Sequence, residues 1–121
     1  MKIVIQGELI DLNKYINAER AHRLKAARIK KQQTDKCAIA FMPIRTKKLK
    51  LPITLHITWV CKDKRKDLDN IMFAKKFIQD GMVQSGLLKN DGWNEIAGYV
   101  ETFEIDKGNP RIEIEIEEMG K

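Results

Sequence analysis

The chain predicts an α+β domain: one small sheet with helices packed against it. Three observations predict it. Four segments alternate apolar and polar residues with period two, two longer segments carry helical spacing, and no repeat or low-complexity linker divides the 121 residues. That length supports one modest core rather than two, so 1–121 is read as a single domain.

In chain order, residues 2–9 read as a first strand, with Ile3 and Ile5 on one face and Val4 and Gln6 on the other. Asn13 or Asn17 is expected to cap a helix running through residues 18–29, extending to about Met42 before Pro43 stops it. Ala21, Leu24, Ala27 and Ile29 would form its narrow apolar stripe, leaving the remaining surface cationic. Residues 45–50 are a basic loop. Pro52 opens a second strand in which Ile53, Leu55, Ile57 and Trp59 alternate with Thr54, His56, Thr58 and Val60. After the charged loop 62–66, Asp67 or Asp69 would cap a second helix reaching about Ser85, burying Ile71, Met72, Ala74, Phe77, Ile78 and Val83. Gly86 suits its C-terminal cap. An acidic turn, Asn90-Asp91-Gly92, leads to a strand over 96–105, a hairpin turn over 106–110, and a last strand over 111–118. That strand would point Ile112, Ile114 and Ile116 inward and Glu113, Glu115 and Glu117 outward. The order is β-α-β-α-β-β: about four strands in a mixed or antiparallel sheet, with two main helices on one face.

Charge is distributed unevenly. Residues 1–66 hold 17 Lys/Arg against 5 Asp/Glu, a net of +12, while residues 67–121 hold 6 against 12, giving +6 for the whole chain. A merely solubilising surface would mix the signs, so the asymmetry points to an anionic partner such as nucleic acid. Cys37 and Cys61 lack metal-ligand spacing and are expected to be buried, reduced thiols. No signal-peptide pattern and no membrane-length apolar run occur, which predicts a cytoplasmic protein with no membrane partner.

The chemistry concentrates in Lys66-Asp67-Leu68-Asp69-Asn70 and in Asp91. Oxygen-only groups of this kind suit Mg²⁺, a hard cation that takes one or two carboxylates together with waters and phosphate. The competing reading is helix capping by Asp67 or Asp69, and it stays open from the sequence alone. On one continuous helix Asp69, Lys76 and Asp80 would share a face, while Lys75 would lie about 100° away as a solvated lysine. Lys76 could neutralise charge on a phosphate, or simply pair with Asp80. His22 and His56 have no dyad partner, the glycines form no phosphate loop, and Trp59 and Trp93 are expected to be packing residues rather than base-stacking platforms, although Trp93, beside Asp91, could lie near substrate.

Together these residues resemble the RusA family of Holliday-junction resolvases. The match rests on the basic lead-in to Asp67-Leu68-Asp69-Asn70, the helix with Lys76 and Asp80, the turn Asn90-Asp91, the early Asn13-Lys14-Tyr15-Ile16-Asn17, and the ending Ile114-Glu115-Ile116-Glu117-Glu118-Met119-Gly120. The resemblance implies a RusA-like fold and a homodimeric crossover junction endodeoxyribonuclease that uses Mg²⁺, with Mn²⁺ a possible substitute, on four-way DNA. It implies Asp67, Asp69 and Asp91 as metal-binding carboxylates and Lys76 as the catalytic lysine. Two positions depart from the family pattern. Many members carry the lysine four residues after the second motif aspartate, where this chain has Phe73, so Lys75 stays a candidate too. Members also often show two adjacent aspartates where this chain has Asn90-Asp91. Arg20, Arg23, Lys25, Arg28, Lys30, Lys31, Lys47, Lys48, Lys64 and Arg65 would hold the DNA backbone. The rival readings are a non-catalytic branched-DNA-binding protein and a metal nuclease acting on flaps or forks.

Overall fold

The period-two segments close into one sheet. In the computed structural model, which describes residues 1–120, the strands are β1 (Lys2–Gln6), β2 (Ile53–Cys61), β3 (Ile96–Ile105) and β4 (Arg111–Glu117), and they lie in the order β1-β4-β2-β3. β4 runs antiparallel to β1 and to β2, whereas β3 runs parallel to β2. The sheet is mixed and the fold is α+β. The predicted alternation of β4 holds, with Ile112, Ile114 and Ile116 buried and Glu115 and Glu117 exposed. Burying each isoleucine contributes about 1.5–3 kcal/mol.

The hairpin expected at 106–110 does not form. β3 and β4 are separated by β2, so this connection passes across the end of β2, where the Asp106 N–H donates to the Cys61 carbonyl at 2.8 Å. The side chain of Arg111 pins the crossing, donating to Asp106 (3.1 Å), the Asn109 carbonyl (2.9 Å) and Glu113 (2.7 Å). Strict alternation specifies which face of β4 is buried, but not which strand lies beside it.

The helices are α1 (Leu12–Ala21), α2 (Arg23–Phe41), α3 (Leu68–Met72) and α4 (Lys75–Ser85), with a short 3₁₀ turn (Met42–Ile44) around Pro43. Cys37 and Phe41 of α2 and Phe77, Ile78 and Met82 of α4 join the core with the inward residues of the sheet. Both expected long helices are broken. Asp11, rather than Asn13 or Asn17, caps the first by accepting from the Lys14 N–H at 2.8 Å. His22 then adopts an extended backbone (φ −166°), ending α1 with its N–H on the Ala18 carbonyl and starting α2 with its own carbonyl. The buried stripe of α2 is Ala26, Thr34, Cys37, Ala38 and Phe41; the anticipated Ala21, Leu24 and Ala27 are exposed.

Between α3 and α4 the bonds tighten to i→i+3: Ala74 N–H to Ile71 O, Lys76 N–H to Phe73 O, and Phe77 N–H to Ala74 O. Phe73 is drawn inward against Tyr15 and Phe77, with ring centroids 5.4 and 5.6 Å apart, and Ala74 is 1 % exposed. Gly81 allows the close crossing of α2 and α4, because a Cβ there would lie 2.6 Å from Cys37 Cβ and 2.8 Å from the Ala38 nitrogen. Gly86 caps α4 in the left-handed conformation (φ 92°), as expected.

Candidate active site

The motif Asp67-Leu68-Asp69-Asn70 follows the loop after β2 and is tied down on both flanks. Upstream, the Lys66 ammonium reaches Asp11 at 3.1 Å and Glu8 at 3.8 Å. Burial pushes the Asp11 carboxyl up, but the Lys14 N–H and the Lys66 ammonium outweigh it and hold the group below its ordinary value. Downstream, Asn70 Oδ1 accepts from the Asn13 N–H at 2.9 Å. The motif is thereby fastened at Lys66 and Asn70 to the first turn of α1. The sequence placed Lys66 in a charged loop leading into the motif but gave it no partner.

Asp67 occupies the N-cap position of α3 with extended backbone (φ −68°, ψ 151°), yet its carboxylate makes no capping hydrogen bond. Asp69 lies in the first turn of that helix, and both residues are exposed. Asp91 sits half-buried in the turn before β3, its own N–H held by Asn90 Oδ1 at 2.9 Å. None of these three carboxylates has a hydrogen-bond or ion-pair partner among the described residues, and elsewhere only Glu19 and Glu104 share that condition. Capping therefore does not account for Asp67.

Of the two lysines, Lys75 departs from the environment expected of it and Lys76 does not. Lys75 is not solvated: its ammonium donates to Glu101 at 2.8 Å and stands 4.9 Å from the centre of the Tyr99 ring. Glu101, with a side chain 12 % exposed, also accepts from Trp59 Nε1 at 3.0 Å. Lys76 is the exposed one, its only ionic neighbour among the described residues being Asp80 at 4.0 Å. The tightened turn at Phe73 and Ala74 breaks the continuous helix assumed for the face argument, so seven residues no longer mean two turns. Asp69, Lys75 and Lys76 nevertheless line one shallow groove with Met72, Phe73 and Gln79.

Asp91 lies elsewhere along α4. It lines a groove between α2 and α4 with Lys30, Lys31, Thr34, Asp80 and Gln84, and it helps raise the Tyr99 phenol, after the larger effect of burial. Among the described residues no group of three or more His, Cys, Asp or Glu side chains gathers to hold a metal ion. The donor chemistry of Asp67, Asp69 and Asp91 suits a hard divalent cation. The structure does not bring the three together: Asp69 and Asp91 line different grooves.

The cationic candidates Arg20, Arg23, Lys25, Arg28, Lys30 and Lys31 are all exposed at the end of α1 and along α2, and Lys47, Lys48, Lys64 and Arg65 are exposed on loops. Lys31 and Arg65 carry acidic neighbours, Asp35 at 3.1 Å and Asp63 at 3.7 Å. His56 pairs with Glu117 at 2.7 Å on the outer face of the sheet, and His22 is spent on the helix break. Trp59 is a packing residue, whereas Trp93 is 97 % exposed, against expectation. Cys37 and Cys61 are both free and buried, and burial pushes the Cys37 thiol up to about 12. No described helix is long and apolar enough to cross a membrane.

No curated protein matches the chain. A family model described as endodeoxyribonuclease RusA matches residues 9–117, a span that runs from Leu9, two residues before the Asp11 cap, to the end of β4 and includes every candidate carboxylate. With nearly the whole chain covered, the protein belongs to the RusA family of Holliday-junction endodeoxyribonucleases.

Proposed function

We propose that the chain hydrolyses phosphodiester bonds in opposed strands of four-way DNA, as a homodimer, with Asp67, Asp69 and Asp91 holding Mg²⁺ and Lys76 acting on the phosphate. The observation that carries this reading is the set of three motif carboxylates left without partners in a fold that pairs most of its other acids. A bound Mg²⁺ would supply charge neutralisation at the phosphate and a more acidic water. Lys76, free of a tight partner, has the reach and charge to offset negative charge building on the phosphate oxygens. Lys75 is committed to Glu101 and serves to hold α4 against β3. Lys66 and Asn70 keep the two motif aspartates fixed relative to α1, so their exposed positions do not depend on a loop alone. The exposed cations of α2 would grip backbone phosphates without reading sequence, which makes binding salt-dependent. Two-fold symmetry would present identical sites to two opposed strands.

The test is cleavage of synthetic four-way junctions, flaps and linear duplex in Mg²⁺, Mn²⁺, Ca²⁺ or EDTA, with wild type and Asp69→Asn. The expected result is metal-dependent nicking preferring junctions, abolished in Asp69→Asn with binding kept or tightened. Junction binding in EDTA with no nicking under any condition would instead support a non-catalytic binding protein. Preference for flaps would move the substrate.

A further inference from the structure

An indole left almost wholly in water is unusual, and Trp93 is 97 % exposed in a turn that is itself well tied. Gly92 N–H donates to Glu95 Oε1 at 3.0 Å, while the Glu95 and Ile96 N–H groups return to the Gly92 carbonyl at 3.1 and 3.0 Å. The turn is thus held by its own hydrogen bonds and the side chain is left over. Beside it the pairing of β3 with β2 slips by one residue, so that Ile96 opposes Ile53 but Gly98 opposes Thr54, leaving Ala97 as a bulge. Asp91, Gly92, Trp93, Ala97, Gly98 and Tyr99 together line a shallow recess on this edge strand. A Cβ built on Gly98 would meet nothing within 4 Å, so the recess is open there.

We propose that Trp93 is a stacking platform for a nucleobase released from its helical stack at a DNA branch point. The inference rests on the junction-cleaving reading and adds a residue to it. Asp91 lines two surfaces: this aromatic recess, which holds no cation, on one side, and on the other the groove carrying Lys30 and Lys31. A nucleotide has the matching division, a flat neutral base joined to an anionic phosphate. The acidic neighbours Asp91 and Glu95 disfavour a phosphate at the indole itself, while the face of a base meets no such penalty. Stacking is tolerant of base identity, so the platform would recognise unstacked bases rather than sequence. Linear duplex keeps its bases stacked and paired and would gain little from it. Trp93 would then contribute to the preference for branched over linear DNA.

The experiment measures binding to a four-way junction carrying 2-aminopurine at the crossover and to linear duplex, in Ca²⁺, for wild type, Trp93→Ala, Trp93→Phe and Gly98→Leu. Wild type is expected to show quenching of indole fluorescence on binding, and Trp93→Ala to lack it and to bind the junction about tenfold more weakly with duplex affinity within about twofold. Trp93→Phe should recover most of the affinity, and Gly98→Leu, which fills the recess, should behave like Trp93→Ala. Unfolding midpoints should be unchanged for the Trp93 variants, since the indole packs against little. A wild type that cuts junctions, with a Trp93→Ala indistinguishable from it or equally weakened on both DNAs, overturns the platform and leaves the enzyme reading intact. A wild type that neither binds nor cuts branched DNA removes both. Sedimentation showing that Trp93→Ala separates copies of the chain would make the surface a subunit contact and also overturn the proposal.

Discussion

Replacing Lys75 with alanine is expected to cost far more stability than replacing Lys76, although the two are adjacent and chemically identical. The Lys75 ammonium sits 2.8 Å from Glu101, with side chains 31 % and 12 % exposed, and faces the Tyr99 ring at 4.9 Å. A charge-assisted hydrogen bond contributes about 1.5–3 kcal/mol, and the partial exposure of Lys75 moves this toward the lower end. The cation over the ring adds about 0.5 kcal/mol. Glu101 would keep only Trp59 Nε1 as a donor. The expected loss is therefore about 2 kcal/mol. For Lys76 the 4.0 Å pair with Asp80 joins side chains 52 % and 31 % exposed on one helix. Pairs of that kind contribute about 0.3–0.5 kcal/mol. For a domain of this size the two losses become a drop in Tm of about 8 °C for Lys75→Ala and under about 2 °C for Lys76→Ala.

Circular dichroism melts of the two variants test this, with Glu101→Gln and the double variant completing a cycle whose coupling should be about 1–2 kcal/mol. A Lys75→Ala melt within 2 °C of wild type, or a lower melt for Lys76→Ala, would refute the assignment of Lys75 to the fold. The same proteins assayed for cleavage well below their melting points separate stability from chemistry. If Lys76 is the phosphate-facing group, Lys76→Ala is fully folded and slow.

Gly81→Ala should destabilise, even though alanine is the better helix former, because its Cβ meets the backbone of α2 at 2.8 Å and Cys37 Cβ at 2.6 Å. Overpacking of this kind costs about 1–3 kcal/mol, against a helix gain of about 1, so a lowered urea midpoint is expected and a raised one would contradict the close crossing. Asp11→Asn, which keeps a capping side chain, should be less stable than wild type at neutral pH. The folded Asp11 carboxyl lies below its ordinary 3.8, so its contribution is present above that value and fades as pH falls through the folded pKa. The gap between the two proteins should narrow below about pH 4; a gap that is flat or widens there would show that the Lys66 and Lys14 contacts do not favour the ionised form.

What the sequence made legible follows from which interactions are local. Alternation at Ile112, Ile114 and Ile116, the Gly86 cap and the burial of both cysteines depend on periodicity and side-chain type, and all appear in the fold. The neighbour of β4 depends on a crossing at Cys61 and Asp106 that no periodicity encodes. The helix break at Phe73 accompanies its packing on Tyr15, and helix propensity gives no warning of it or of the break at His22. The expected solvation of Lys75 failed with the same break, since a face argument needs an uninterrupted helix. In the site, residue types were readable and relative positions were not: Asp69 and Asp91 line different grooves along α4.

That separation is itself informative about how the motif is supported. Most carboxylates in this chain are tied to a cation or a backbone N–H, including Asp11 and Glu8 immediately behind the motif. Fixing Asp67 and Asp69 through Lys66 and Asn70 leaves their own oxygens unspent, in a segment whose backbone is braced on both sides. Asp67 makes no hydrogen bond to the first turn of α3, so both of its oxygens stay available. Unpaired acids gain favourable interactions only when a cation arrives, and an anionic DNA strand would otherwise repel them. A site of this kind is expected to bind its divalent ion and its phosphate together, each offsetting the charge that the other meets. Metal affinity measured with and without a four-way junction checks that coupling: the junction should tighten the metal, and equal affinities in the two conditions would mean that the carboxylates bind it unaided.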